Sequence, residues 1–159
     1  MTQLTFIVVG TQKEDYFRTA TAEYIKRLGA FCRAETVELR EERIADENDP
    51  RAVAAALEAE GQKILARLAP DTSLFALCVE GEEMDSPTLA KRIGEKIDRG
   101  GRIAVAIGSS HGLSPAVKAR ADVRLSLSRL TFPHQMARLI AAEAFYRGFC
   151  ILAGKNYHK

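Results

Sequence analysis

Two hydrophobic rhythms alternate along the chain. "LTFIVVG" (4–10) is β-branched and apolar almost throughout, the pattern of a strand covered on both faces. Residues 15–29, "DYFRTATAEYIKRLG", place Phe17, Ala20, Tyr24, Ile25 and Leu28 at helical spacing and stop at Gly29. "AETVELR" (34–40) alternates and predicts a strand nearer a sheet edge. "EERIADENDP" (41–50) predicts an exposed acidic loop, and an Ala- and Leu-rich helix follows over 51–68. "SLFALCV" (73–79) predicts another buried strand. "DSPTLAKRIGEKIDRGG" (85–101) predicts a helix with Ser86 as N-cap and Pro87 at its first position. "RIAVAIG" (102–108) is the clearest strand. After it come a short helix at 114–121, a strand at 123–128, and a helix from about 133 to 150 that buries Met136, Leu139, Ile140, Ala144 and Phe145.

Strand–helix alternation with no linker, repeat or low-complexity tract predicts one α/β domain over 1–159, a mostly parallel sheet with helices on both faces. No apolar run approaches a membrane span, and "MTQLTFIVVGTQKED" lacks the basic start of a signal peptide, so a cytoplasmic protein is expected. Cys32, Cys78 and Cys150 form no CxxC pair and no ligand cluster with the three histidines; buried reduced thiols and no metal are expected.

Net charge is only +2, but it is uneven. From Ser114 onward, Lys118, Arg120, Arg124, Arg129, Arg138, Arg147, Lys155 and Lys159 face only Asp122 and Glu143. That asymmetry fits either a solvated basic face or a polyanionic partner such as nucleic acid.

Ligands of open α/β sheets sit outside the carboxyl ends of the strands. Three loops qualify: after Leu77–Val79, after Ile107 ("GSSHGLS") and after Leu127 ("SRLTFPH"). "GTQKED" after the first strand lacks GxGxxG, and no GxxxxGK[ST] occurs, which argues against a phosphate-cradling site. A phosphate-free ligand such as a nucleoside joined to an amino acid remains open. Gly81, Gly108 and Gly112 read equally as turn residues with positive φ, and Thr131 as a helix cap.

The segments "IGSSHGLSP" and "LSLSRLTFPHQMARLIAAEAFYRGFCILAGKNYHK", with "VVGT", "YIKRL" and "EGQKIL" upstream, resemble the RlmH family over essentially the full length. These are bacterial ribosomal RNA large subunit methyltransferases H of the SPOUT superfamily. The resemblance implies a SPOUT-type α/β fold with a C-terminal trefoil knot, a homodimer, and S-adenosylmethionine (SAM) as cofactor. It implies methylation of N3 of a pseudouridine in the helix 69 loop of 23S rRNA, on the assembled ribosome. By position, the cofactor would be held by Leu77, Gly108, Leu127, Ser128, Arg129, Leu130, Thr131 and Phe132, largely through backbone groups. Two positions depart from the usual pattern: Ser109 where the family commonly has glycine, and Cys78 where it often has aspartate.

Methylating N3 requires loss of its proton, hence a base or a cation that stabilises the deprotonated ring. Tyr157-His158-Lys159 offers an aromatic, an imidazole and a cation, suited to RNA. His158 is the expected base, Arg147 its electrostatic support and Tyr157 their neighbour. Arg147 also reads as an ion-pair partner of Glu143 one turn earlier, and His134 as either a base or helix N-terminal packing. Another RNA such as tRNA, or a ribosome-binding protein that has lost catalysis through Ser109 and Cys78, are the competing readings.

Overall fold

The computed structural model describes residues 1–159. In chain order the elements are β1 (Gln3–Val9), α1 (Asp15–Leu28), β2 (Arg33–Leu39), α2 (Pro50–Leu65), β3 (Ser73–Glu83), α3 (Ser86–Asp98), β4 (Arg102–Ile107), α4 (Pro115–Arg120), β5 (Val123–Ser126) and α5 (His134–Leu152). The strands form one all-parallel sheet in the order β2-β1-β4-β3-β5. β2 is an edge strand, as its alternation predicts. No helix is long and apolar enough to cross a membrane.

Period-2 alternation divides the buried strand residues between two layers. Leu4, Phe6 and Val8 of β1 join Phe75, Ile103, Val105 and Ile107 on the face covered by α1, α3 and α5. Ile7 and Val9 join Leu74, Ala76, Ala104 and Ala106 on the face covered by α2 and α4. Parallel strands need crossovers, and successive crossovers alternate between the two faces.

α5 fills the groove between α1 and α3. Phe145 is fully buried and meets Phe6 and Phe75 edge to face at 5.8 and 5.3 Å. A Cβ on Gly148 would come within 2.7 Å of Ile93, so α5 approaches α3 closely there. The buried residues of α5 are therefore Arg138, Ala141, Ala142, Phe145, Gly148, Phe149 and Cys150. This corrects the expected face: Met136, Leu139, Ile140 and Ala144 are only half-buried. Small residues permit close packing, and a count of large apolar side chains overlooks them.

Three local expectations also need correction. Asp85, not Ser86, caps α3, its carboxylate accepting from the Thr88 N–H at 2.8 Å, and Pro87 falls at the second helical position. Thr131 caps nothing: α5 begins after Pro133 with no side-chain cap. β3 does not stop at Val79; it breaks register between Leu77 and Glu82 and then resumes beside β5.

Phe145→Ala should remove about 3–5 kcal/mol of unfolding free energy, as for other buried aromatic truncations. Urea unfolding reads this; a loss below about 1 kcal/mol would show that α5 is not wedged into the core.

Candidate functional site

The three loops singled out by position converge. Leu77, Gly108, Leu127, Ser128, Leu130, Thr131 and Phe132 line one open cavity of about 280 Å³ at the carboxyl edge of the sheet. Arg129 lies within the same loop, exposed, and off the wall. His111 and His134, which lie in two of those loops, are also on the wall, joined by Lys118 of α4 and Ala137 of α5, which the sequence did not single out for the cavity. The irregular stretch of β3 contributes Cys78, Val79 and Glu80.

Glycine shapes this wall in two ways. Gly112 takes φ +86, and its N–H donates to the Ser109 carbonyl at 2.9 Å, closing a tight turn. Gly108 and Gly81 do not have positive φ, correcting the turn reading; they are required by close approach. A Cβ on Gly108 would lie 2.1 Å from the Gly112 oxygen, and one on Gly81 2.8 Å from the Leu125 carbonyl carbon.

The two departures from the family pattern leave the cavity open. No non-glycine residue has positive φ, so Ser109 carries no left-handed strain. Its hydroxyl donates to the buried Glu60 carboxylate at 3.1 Å, and the other Glu60 oxygen accepts from the Glu42 N–H at 2.9 Å. Burial, with the Glu80 carboxylate beside it, holds the Cys78 thiol above its ordinary pKa, which disfavours the thiolate. Glu80 pairs with Lys118 at the rim, and that hydrogen bond holds its carboxyl below the usual range.

The β5–α5 loop is rich in free donors. The Leu130 N–H is satisfied by the Ser128 hydroxyl at 3.0 Å, but the N–H groups of Ser128, Arg129, Thr131 and Phe132 donate to nothing within the chain. Unpaired backbone donors beside apolar Leu77, Leu127 and Leu130 suit a planar heterocycle with ring acceptors. The cavity offers one cation, Lys118, already paired, which is a poor cradle for phosphate.

A second cluster forms on the far part of α5. Arg147 pairs with Glu143, which also accepts from the Tyr157 hydroxyl at 3.1 Å. The Arg147 guanidinium sits 4.7 Å over the Tyr157 ring, and its Nη1 lies 3.4 Å from His158 Nδ1. Desolvation first, then hydrogen bonds with Tyr24 and Glu143, push the Tyr157 hydroxyl well above its usual pKa. The tail is thus docked, and Arg147, Tyr157 and His158 come together. None of them lines the cavity. Arg147 stands about 15 Å along the helix axis from Ala137, the last α5 residue on the wall, at 1.5 Å per residue.

The charge excess of the C-terminal third is partly internal. Lys118, Arg120, Arg138 and Arg147 are ion-paired, leaving Arg129, Lys155 and Lys159 among the free cations.

A family model described as predicted SPOUT methyltransferase matches residues 2–158. The chain is 44% identical over 154 residues to "Ribosomal RNA large subunit methyltransferase H" of Streptococcus thermophilus (strain CNRZ 1066), covering 96% of this chain and 97% of that protein. It is 37% identical over 158 residues to the protein so named in Exiguobacterium sibiricum, covering 99% of each. Among solved structures, a probable methyltransferase from Bordetella pertussis Tohama I superposes with a TM-score of 0.60 at 21% identity, over 93% of this chain and 96% of the other. A probable methylase family protein from Haemophilus influenzae Rd KW20 gives 0.55 at 12% identity, over 98% and 70%. These two likenesses concern the fold.

Ser109→Gly leaves one oxygen of the buried Glu60 carboxylate without its donor and should lower stability by about 1–3 kcal/mol. Gly108→Ala forces the 108–112 turn apart and should be worse. Urea unfolding of both variants gives the ranking, and the reverse order would contradict this account of the turn.

Proposed function

The chain belongs to the SPOUT methyltransferase family, and on that premise we propose that it methylates ribosomal RNA with SAM as methyl donor. The target in this reading is N3 of a pseudouridine in the helix 69 loop of 23S rRNA, on the assembled ribosome in the cytoplasm. Relatives named as large-subunit rRNA methyltransferases over nearly the whole chain support the RNA class. The observation that carries the reading is the convergence of Leu77, Gly108 and the 127–132 loop on one cavity.

The residues present fit SAM. The adenine edge would meet the free N–H groups of the 127–132 loop, between Leu77 and Leu127. The charged amino-acid end would lie toward Glu80 and Lys118. Bound there, SAM supplies a methyl group already activated on a sulfonium. The C-terminal knot belongs to the same reading; the nesting of 127–132 among the other two loops, and the return of α5 between α1 and α3, support it.

Proton removal falls to the tail. His158 accepts the N3 proton while the Arg147 guanidinium offsets charge developing on the ring. Glu143 and Tyr157 hold Arg147 in place. Methyl transfer needs reacting atoms within about 3.5 Å, and the tail of one chain stands away from its own cavity. The reading therefore includes a homodimer in which the tail of one protomer serves the cavity of its partner. Half-covered Met136, Leu139 and Ile140, with Val79 and Leu130 exposed by 54% and 71%, supply an apolar surface for that contact.

Labelled SAM and ribosomes from cells lacking the modification test the reading. Label is expected at the helix 69 pseudouridine, with naked 23S rRNA a poor substrate; label at another nucleotide, in tRNA or nowhere contradicts it. His158→Ala should lower kcat by about 10²–10⁴-fold, the range for a general base, with SAM affinity within twofold by calorimetry. Parallel loss of both, or of neither, would remove His158 from the role.

A further inference from the structure

A second hollow adjoins the first. It encloses about 500 Å³ where β1 and β2 end, and Gly10, Lys13, Arg40, Glu41, His134 and Gln135 are on its wall. Leu39 is its single hydrophobic residue. His134 lines both hollows.

The hollow holds polar groups that the fold does not use. Lys13 and Arg40 are exposed and their side chains make no ion pair. α5 starts without a side-chain cap, and the N–H groups of His134, Gln135 and Met136 find no acceptor in the chain. The Gln135 side chain instead accepts from the Lys13 and Glu14 N–H groups at 2.8 and 3.3 Å, fixing the Lys13 turn against α5. Gly10 has φ +92, and Glu41 Oε2 and His134 Nε2 lie 3.6 and 4.0 Å from where its Cβ would be. Three residues beyond Lys13, Tyr16 is 66% exposed beside Phe17, ring centroids 4.7 Å apart.

Free cations, neutral donors and a carboxylate acceptor on its wall, with an exposed ring one helical turn along the chain from Lys13, suit an unstacked nucleotide. A small anion alone would occupy Lys13 and Arg40 and leave the Glu41 acceptor unused, Glu38 being paired with Arg138. An apolar peptide would find almost no apolar wall. We infer that this hollow is a second nucleotide subsite, which takes an unpaired RNA nucleotide flanking the one that is methylated. Lys13 and Arg40 contact its phosphate, and the base lies toward Glu41 and the α5 N-terminus. This rests on the RNA methyltransferase reading and adds to it a residue-level site for RNA.

The test compares Lys13→Ala/Arg40→Ala and Tyr16→Ala with Arg67→Ala, an exposed cation near the opposite edge of the sheet. The double variant should raise KM for unmodified ribosomes about tenfold and reduce the salt slope of ribosome binding by about 2. Its kcat should stay within twofold and its SAM affinity unchanged. Tyr16→Ala should raise KM several-fold. A KM equal to that of Arg67→Ala, or a fall in SAM affinity parallel to the rise in KM, overturns the subsite. If the wild-type chain transfers no methyl but co-sediments with ribosomes, the catalytic reading fails on its own. Weaker co-sedimentation of the double variant then still supports the subsite, and equal co-sedimentation overturns it.

Discussion

The docking of α5 against the sheet is the contact on which the rest depends. Phe145 inserts between Phe6 and Phe75, and Gly148 lets the helix settle against Ile93. The same helix then serves distant places at once. Arg138, almost wholly buried, donates from Nη1 to the Gly10 carbonyl and from Nη2 to Glu38, tying α5 to the ends of β1 and β2. His134 and Ala137 complete the cavity wall, and Glu143 and Arg147 hold the tail. Burial of the Arg138 guanidinium lowers its pKa, opposed by Glu38, so the tie is a desolvated charge kept by its partner.

The cavity owes its character to backbone. Its loops turn or pack closely through Gly81, Gly108 and Gly112, and the 127–132 loop leaves N–H groups unsatisfied beside leucine side chains. Such a surface recognises a flat, hydrogen-bonding ring better than a polyanion, which agrees with the absence of phosphate-binding spacings in the sequence. Ser109 shows how a side chain enters this setting: its hydroxyl is taken up by Glu60 in the layer behind the wall.

Much of this was legible along the chain. The near-continuous apolar runs "LTFIVVG" and "RIAVAIG" mark strands buried on both faces, and the three ligand loops follow from parallel topology. The face of α5 was misread because Ala141, Ala142 and Gly148 act by being small, while Met136, Leu139 and Ile140 carry the obvious hydrophobicity. The break in β3 was invisible because "CVEG" has the composition of a strand end. Lys118 and Ala137 joined the cavity through tertiary approach of α4 and α5, which no local pattern encodes. The pairing of Arg147 with Glu143 was readable from helical spacing; the capture of Tyr157 by the same carboxylate was not, because the tail lies beyond the helix.

In the proposed reading, one chain carries a cofactor cavity and a basic tail that stand apart from each other. Co-expression of two defective chains tests this directly. Thr131→Trp, at an exposed position on the cavity wall, fills the cavity, and His158→Ala removes the proposed base. In a mixed dimer, one site combines an intact cavity from the second chain with an intact tail from the first. Activity should return to about a quarter of wild type for random pairing in a two-fold dimer. Mixed preparations as inactive as either variant alone would mean that cavity and tail act within a single chain, contradicting the account.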